Sequence, residues 1–359
     1  MKFVLSLQDI IVRFMVKYDK LNKIFDFAYP GFNNQGTVNL FIDLYSIYHN
    51  LYSRSYTTTA KDNRDLTVGI IDLCAHYRTF FRYRGIHTKI FLISSYNIPK
   101  HNTDIIPEYN KTMQEKLKNS VIANLVNVNI PMLELLCPYL NDIHFIKTEH
   151  EASSVIYHIA NNLEAENRSI VLSTDVYPMK LTTMVPNLTY IWPRKKNHED
   201  ASLMIPCKMH SAHKYNFWCV YLQKTGKLTQ FEKYYDITTS VLDIVESYFE
   251  CKDRNLTPSI VNRKKILDCI YNTIGYQDTV ISLATFKNNL SDSLSFLSDD
   301  QMDIIEKRYR CMSLQIQNIL YNDSIEKMSL SYQNLNDPQA LQIINNEFFS
   351  DEPLDILRL

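Results

Sequence analysis

Residues 37–52 read TVNLFIDLYSIYHNLY, and the change of period inside this stretch decides the architecture. Its first half, VNLFID at 38–43, is a short apolar run that ends on Asp43 and reads as a strand. Its second half, LYSIYHNLY, repeats apolar and aromatic residues at three and four, the period of a helix.

The same alternation continues outward from this stretch. KIFLI at 89–93, IHFIK at 143–147, SIVLS at 169–173 and LTYIW at 188–192 read as further short strands. Between them, 66–84, 113–125 and 151–163 carry apolar residues at helical spacing. Strand alternating with helix predicts an α/β fold, a mainly parallel twisted sheet covered by helices on both faces. From about residue 206 the strand signals fade. Helical periods take over at 216–224, 237–250, 260–274, 281–297 and 299–321. The expected organisation is therefore an α/β core over 1–205 and a helical C-terminal region over 206–359. The tail NNEFFSDEPLDILRL mixes acidic and apolar residues, and reads as a closing helix or as a docking peptide.

Composition narrows the class. The chain of 359 residues is 45% hydrophobic and 21% charged, ordinary values for a globular protein. No stretch reaches the roughly 20 unbroken apolar residues of a membrane span. The opening MKFVLSLQDIIVRFMVKYDK is interrupted by Gln8, Asp9 and Arg13 and has no small-residue cleavage site, so it reads as an amphipathic helix rather than a signal peptide. Seven cysteines at irregular spacing fit reduced thiols and an intracellular, cytoplasmic setting. The net charge of −1 means that any nucleic-acid surface must be local. Only 6 glycines set against 24 tyrosines leave few positions where the backbone takes positive φ cheaply.

In an open α/β sheet, ligands bind outside the carboxyl ends of the strands, so acids that end apolar runs are the informative residues. Asp43 closes LFID, Glu149 and Glu151 follow HFIKT, and Asp175 follows VLST. Four carboxylates gathered at one edge would repel unless a divalent cation sat among them, and magnesium or manganese suits such ligands. Each acid also has a local explanation. Thr148 and Glu151 fit a capping box, Glu149 would sit in the first turn of the following helix, and Asp43 and Asp175 suit helix caps.

Order and spacing carry a resemblance. TVNLFIDLYSIYHNLY, TEHEASSVIYHIA at 148–160 and VLSTDVYPMKL at 171–181 resemble the flap-endonuclease and polymerase-associated 5′-nuclease (PIN-like) family. That family places an aspartate after its first strand, an E-A-E-A pair before a helix and a T-E-D-x-D-x-L segment after the next strand. IIPEYNKTM at 105–113 is similar to the P-x-Y-K-x-x-R segment that begins the family's arch. The likeness spans roughly residues 1–225. It implies a PIN-like core, with Asp43, Glu149 and Glu151 as first-metal ligands and Asp175 alone for a second. It further implies Mg²⁺ or Mn²⁺ at one site rather than two, with an empty site also open.

The departures are equally specific. Where the family has an aspartate after its second strand, IFLISSYN offers Ser94 or Ser95. Tyr177 stands in place of the second aspartate of T-E-D-x-D, and Lys224, Thr225 and Gly226 lie where G-C-D-Y would fall. Two-metal hydrolysis needs ions about 4 Å apart, so the second ion would be poorly held. Only Gly226 and Gly275 lie beyond residue 206, so the family's glycine-rich DNA clamp is absent or rebuilt.

The expectation is therefore a nucleic-acid-binding protein on this scaffold with a degenerate active site, serving as a structural or recruiting subunit of a replication, transcription or packaging assembly. An active Mg²⁺- or Mn²⁺-dependent 5′ nuclease and a purely protein-binding scaffold are the alternatives. Tyr45 and Tyr48 beside Asp43, Tyr109 and Lys111 in the arch-like segment, and Arg194, Lys195 and Lys196 are the candidate nucleic-acid contacts. DNA is favoured over RNA as the partner. Richness in Ile, Asn, Lys and Tyr points to an AT-rich genome, such as that of a large DNA virus or phage, and so to a viral complex, virion or viral factory. Cys207, His210, His213 and Cys219 invite a zinc reading, but their spacing is not a standard one. No G-x-x-x-x-G-K-[ST], G-x-G-x-x-G or G-x-S-x-G occurs, leaving P-loop hydrolysis, dinucleotide binding and serine hydrolysis without support.

Overall fold

The computed structural model describes residues 11, 14–15, 17–28, 36–52, 60–95, 100–107, 121–148, 150–163, 167–173, 181, 185, 187–193, 201–204 and 298–312. Five branched, apolar runs form β1 (Thr37–Asp43), β2 (His87–Ser94), β3 (Ile143–Lys147), β4 (Arg168–Leu172) and β5 (Leu188–Pro193), matching the five expected strands. They lie in the order β3-β2-β1-β4-β5 and all pair in parallel. A sixth strand, β6 (Ala201–Met204), adds antiparallel to β5. Four residues are too few to show a period, which is why ASLM gave no strand signal.

The chain winds outward from β1 through β2 to β3, then crosses back and continues on the other side of β1 with β4 and β5. The winding direction therefore reverses between β1 and β4. In sheets of this kind that reversal opens a crevice outside the carboxyl ends of the strands.

Helices supply the two faces. The described ones are α1 (Tyr18–Ala28), α2 (Leu44–Tyr52), α3 (Ala60–Tyr83), α4 (Lys100–Ile105), α5 (Val121–Leu136), α6 (Ala152–Asn161) and α7 (Asp299–Met312). Val38, Leu40 and Ile42 alternate along β1 into one core with Ile90 and Leu92 of β2, Ile70, Tyr77 and Phe81 of α3, and Val126 and Leu133 of α5. The intervening residues Asn39, Phe41 and Asp43 face the other side, as strand alternation requires. α6 buries Ala152, Val155, Ile156 and Ala160 and packs against β2.

Two glycines matter. Gly85 takes φ 70 directly after α3. The Gly85 N–H donates to the Arg82 carbonyl at 2.9 Å and the Ile86 N–H to the Phe81 carbonyl at 3.0 Å, the paired bonds of a Schellman ending. The turn sends buried Ile86 straight into β2. Gly69 lies so close to Ile11 that a Cβ there would stand 2.2 Å from its Cδ1, the movable tip of that side chain, so Ile11 would have to turn aside to admit one.

Three expectations meet the structure unevenly. The helix expected at 113–125 is found at 121–136, with 108–120 outside the described residues. The helices expected over 216–297, together with Cys207, His210, His213 and Cys219, lie outside them as well. Of the C-terminal region α7 is described, and it rests on α4, where the buried Cys311 thiol faces the Asn102 carbonyl at 3.9 Å. Among the described residues no helix is long and apolar enough to cross a membrane.

Candidate functional site

Because the five strands run in parallel, their carboxyl ends share one edge, and the best-formed group there surrounds Asp43. It is the last residue of β1, beside the β1/β4 crevice, and only 1% exposed. One carboxylate oxygen, Oδ2, accepts from the Ser46 hydroxyl at 2.7 Å and from the Ser173 hydroxyl at 2.8 Å. The two hydroxyls are themselves 2.5 Å apart. The other oxygen, Oδ1, lies 3.4 Å from the Ser46 N–H, so Asp43 also caps the first turn of α2.

Local structure fixes each partner. Ser46 lies three residues beyond Asp43, where a helix start brings an amide and a side chain back toward the capping residue. Ser173 follows β4 directly, with its N–H on the Ile191 carbonyl at 3.3 Å and its carbonyl accepting the Tyr190 hydroxyl at 2.7 Å. β5 thus holds Ser173 in place. A carboxylate this far from water must be hydrogen-bonded or paired, and hydroxyl donors to a charged oxygen are among the stronger partners. The donor set is oxygen throughout, which suits a hard cation such as Mg²⁺.

Glu151 marks the second feature of this edge. It is the N-cap of α6, with φ −66 and ψ 143, but its side chain makes no capping hydrogen bond. Instead Glu151 Oε1 accepts from Asn102 Nδ2 of α4 at 3.2 Å. The Thr148–Glu151 capping box expected from sequence does not form. Thr148 Oγ1 accepts the N–H of His150 in a tight local turn at 3.0 Å, and the helix starts three residues later than that motif requires.

The described residues include only two of the four acids. Asp43 and Glu151 belong to the same edge, with β2 lying between β1 and β3, while Glu149 and Asp175 lie outside the described residues. Among the described residues no three His, Cys, Asp or Glu side chains group closely enough to hold a metal ion. Tyr109, Lys111, Arg194, Lys195 and Lys196 also fall outside them. Tyr45 is partly exposed. Tyr48 is buried, its hydroxyl donating to Asn129 Oδ1 at 2.7 Å, so it belongs to the core rather than to a base-stacking surface. Ser46 and Asn102 were not anticipated from sequence. Only the spacing of Ser46 from a strand-ending acid could have signalled either.

No curated protein matches the chain. A family model that matches is the Bacterial DnaA ATPase domain, over residues 103–191, about a quarter of the sequence. That segment runs from within α4 to within β5 and includes Glu151 and Ser173. The match overturns the flap-endonuclease and PIN-like resemblance. With it fall the nuclease scaffold, the degenerate two-metal site and the case for manganese. The physical reason is that acids at strand ends recur wherever a parallel sheet passes into helices, so their order along the chain does not by itself single out a nuclease. The sequence contains no G-x-x-x-x-G-K-[ST], the pattern that cradles phosphates in P-loop ATPases.

Proposed function

We propose that the chain binds a magnesium–nucleotide at the carboxyl edge of its parallel sheet and acts as a DNA-associated, replication-related protein inside the cell. The observation that carries this reading is Asp43, a buried carboxylate with two serine hydroxyls on one oxygen, set at the crevice where the winding of the sheet reverses. The similarity of residues 103–191 to an ATPase domain supports a nucleotide as the ligand. Asp43, Ser46 and Ser173 would hold the ion, which when bound neutralises phosphate charge. Without the lysine-bearing loop, binding would outlast hydrolysis, and the nucleotide would act as a switch more than as a fuel. DNA is the macromolecular partner, met through a local basic surface because the net charge is only −1.

The test is thermal unfolding with ATP, with and without Mg²⁺, for the wild type and for Asp43→Asn. Asn caps helices as well as Asp does, so this variant keeps the cap of α2, and circular dichroism checks that it folds. Ligand at about 100 times its dissociation constant stabilises by about 2.7 kcal/mol, several degrees of midpoint. The wild type is expected to show that shift only with magnesium, and Asp43→Asn is expected to lose most of it. An equal shift in both proteins, or one indifferent to chelation, refutes the reading.

A further inference from the structure

Asn102 is fully buried, and its side chain is half satisfied. Its Nδ2 donates to Glu151 Oε1 at 3.2 Å, while its Oδ1 has no partner at all. The orientation of this amide is forced by its neighbour. A carboxylate only accepts, so the nitrogen must face Glu151 and the oxygen is left over. Buried amide oxygens are nearly always paired, and an orphan of this kind calls for an explanation.

Its place supplies one. The orphan oxygen sits on the same planar group that grips Glu151, so a carbonyl oxygen and a carboxylate are held side by side. A ligand with two adjacent donors would meet both the orphan oxygen and the carboxylate beside it. Glu151 is partly exposed, so a ligand can meet its carboxylate from outside, whereas Asn102 Oδ1 is closed to solvent and must be uncovered for the same ligand to reach it. Ser94, at the carboxyl end of β2 between β1 and β3, adds a second buried oxygen without a partner, a hydroxyl. The axes of β1 and β3 are separated by two strand spacings, about 10 Å. A ligand whose charged end rests at Asp43 therefore extends naturally toward Glu151.

We infer that Glu151 and Asn102 form a subsite for the vicinal hydroxyls of a ribose, making the edge selective for ribonucleotides over their deoxy forms. The inference rests on the nucleotide reading above and adds to it the sugar as the discriminating group. Each hydroxyl donates one hydrogen bond, one to Glu151 and one to Asn102 Oδ1, and no covalent step is involved.

Calorimetric titration of the full chain with Mg·ATP and with Mg·2′,3′-dideoxy-ATP tests it, using wild type, Asn102→Ala and Glu151→Gln. Far-UV circular dichroism checks that each variant folds, and Glu151→Gln, at a helix terminus, keeps the test open should Asn102→Ala not fold. A site that pairs a hydroxyl rejects the analogue lacking it, so the wild type is expected to prefer ATP by about tenfold or more. Both variants are expected to bind the two nucleotides alike. Equal wild-type affinity for ATP and the dideoxy analogue overturns the ribose subsite and leaves the nucleotide reading standing. Failure of both to bind overturns the nucleotide reading and this subsite together. A preference that survives intact in both variants places the sugar elsewhere and overturns the assignment.

Discussion

A row of three rings crosses the sheet on the face opposite the main core. His144 of β3 stacks on Phe91 of β2 with centroids 4.9 Å apart, and Phe91 stacks on Phe41 of β1 at 5.0 Å. The strand register puts these three side by side. Burial pushes the His144 pKa below its ordinary value, with Lys89 adding to the drop and Asp142 opposing it. The imidazole of the unfolded chain titrates near 6.5. Between that value and the lower folded one the unfolded chain binds more protons, so stability rises with pH there. The contribution is complete above about 6.5 and is lost as pH falls below it. Asp72, whose carboxyl is pushed up by burial, acts with the opposite sign from near 3.8 upward. His144→Phe should keep the stack and flatten the pH dependence, so that the variant exceeds wild type at pH 5.5 and the gap narrows at 7.5. Urea midpoints at the two pH values measure this, and an unchanged slope would refute it. At this scale Asp43 was legible, because an acid closing an apolar run marks a strand end. Its partners were not, since the Ser46 and Ser173 hydroxyls meet across 127 residues of chain.

The helices differ in how plainly they announce themselves. α3 follows its periodicity to the glycine that ends it, whereas α5 hides behind VIANLVNVNIPMLELL, rich in β-branched residues with Pro131 inside. Such residues weaken helix propensity, and proline removes one backbone bond, so only tertiary burial explains this helix. A buried chain of polar groups ties it to its neighbours. The Tyr48 hydroxyl of α2 donates to Asn129 Oδ1 at 2.7 Å, and Asn129 Nδ2 donates to Thr67 Oγ1 of α3 at 2.7 Å. Removing the first donor strands a buried acceptor, so Tyr48→Phe should cost about 1–3 kcal/mol. The links share Asn129, so Tyr48→Phe combined with Thr67→Val should depart from additivity by at least about 0.5 kcal/mol. A double-mutant cycle in urea decides it. Strict additivity would mean that the three helices are joined by packing alone.

Across the whole molecule, the five parallel strands were legible because buried parallel strands are continuous apolar runs. The strand order was not. Nothing local records that β4 returns to the far side of β1, yet that reversal creates the crevice at Asp43. Nor does the sequence tell where α7 docks, nearly 200 residues after the helix it rests on. Three buried thiols report on that assembly. Cys74 and Cys137 lie in the main core, and burial pushes the Cys137 thiol up to about 12 and the Cys74 thiol well above its ordinary value. Since the thiolate is the reactive form, both should resist alkylation until the core opens. Cys311 is equally buried, and among the described residues α7 rests on the six residues of α4. A contact with one short helix opens at lower free energy than a sheet with helices on both faces. In native buffer at pH 8, iodoacetamide labelling read peptide by peptide should therefore modify Cys311 at least about tenfold faster than Cys74 or Cys137. Urea short of the main transition should widen that gap, because undocking is the easier event. One common rate for all three thiols, rising only with global unfolding, would instead make α7 part of the same cooperative unit as the sheet.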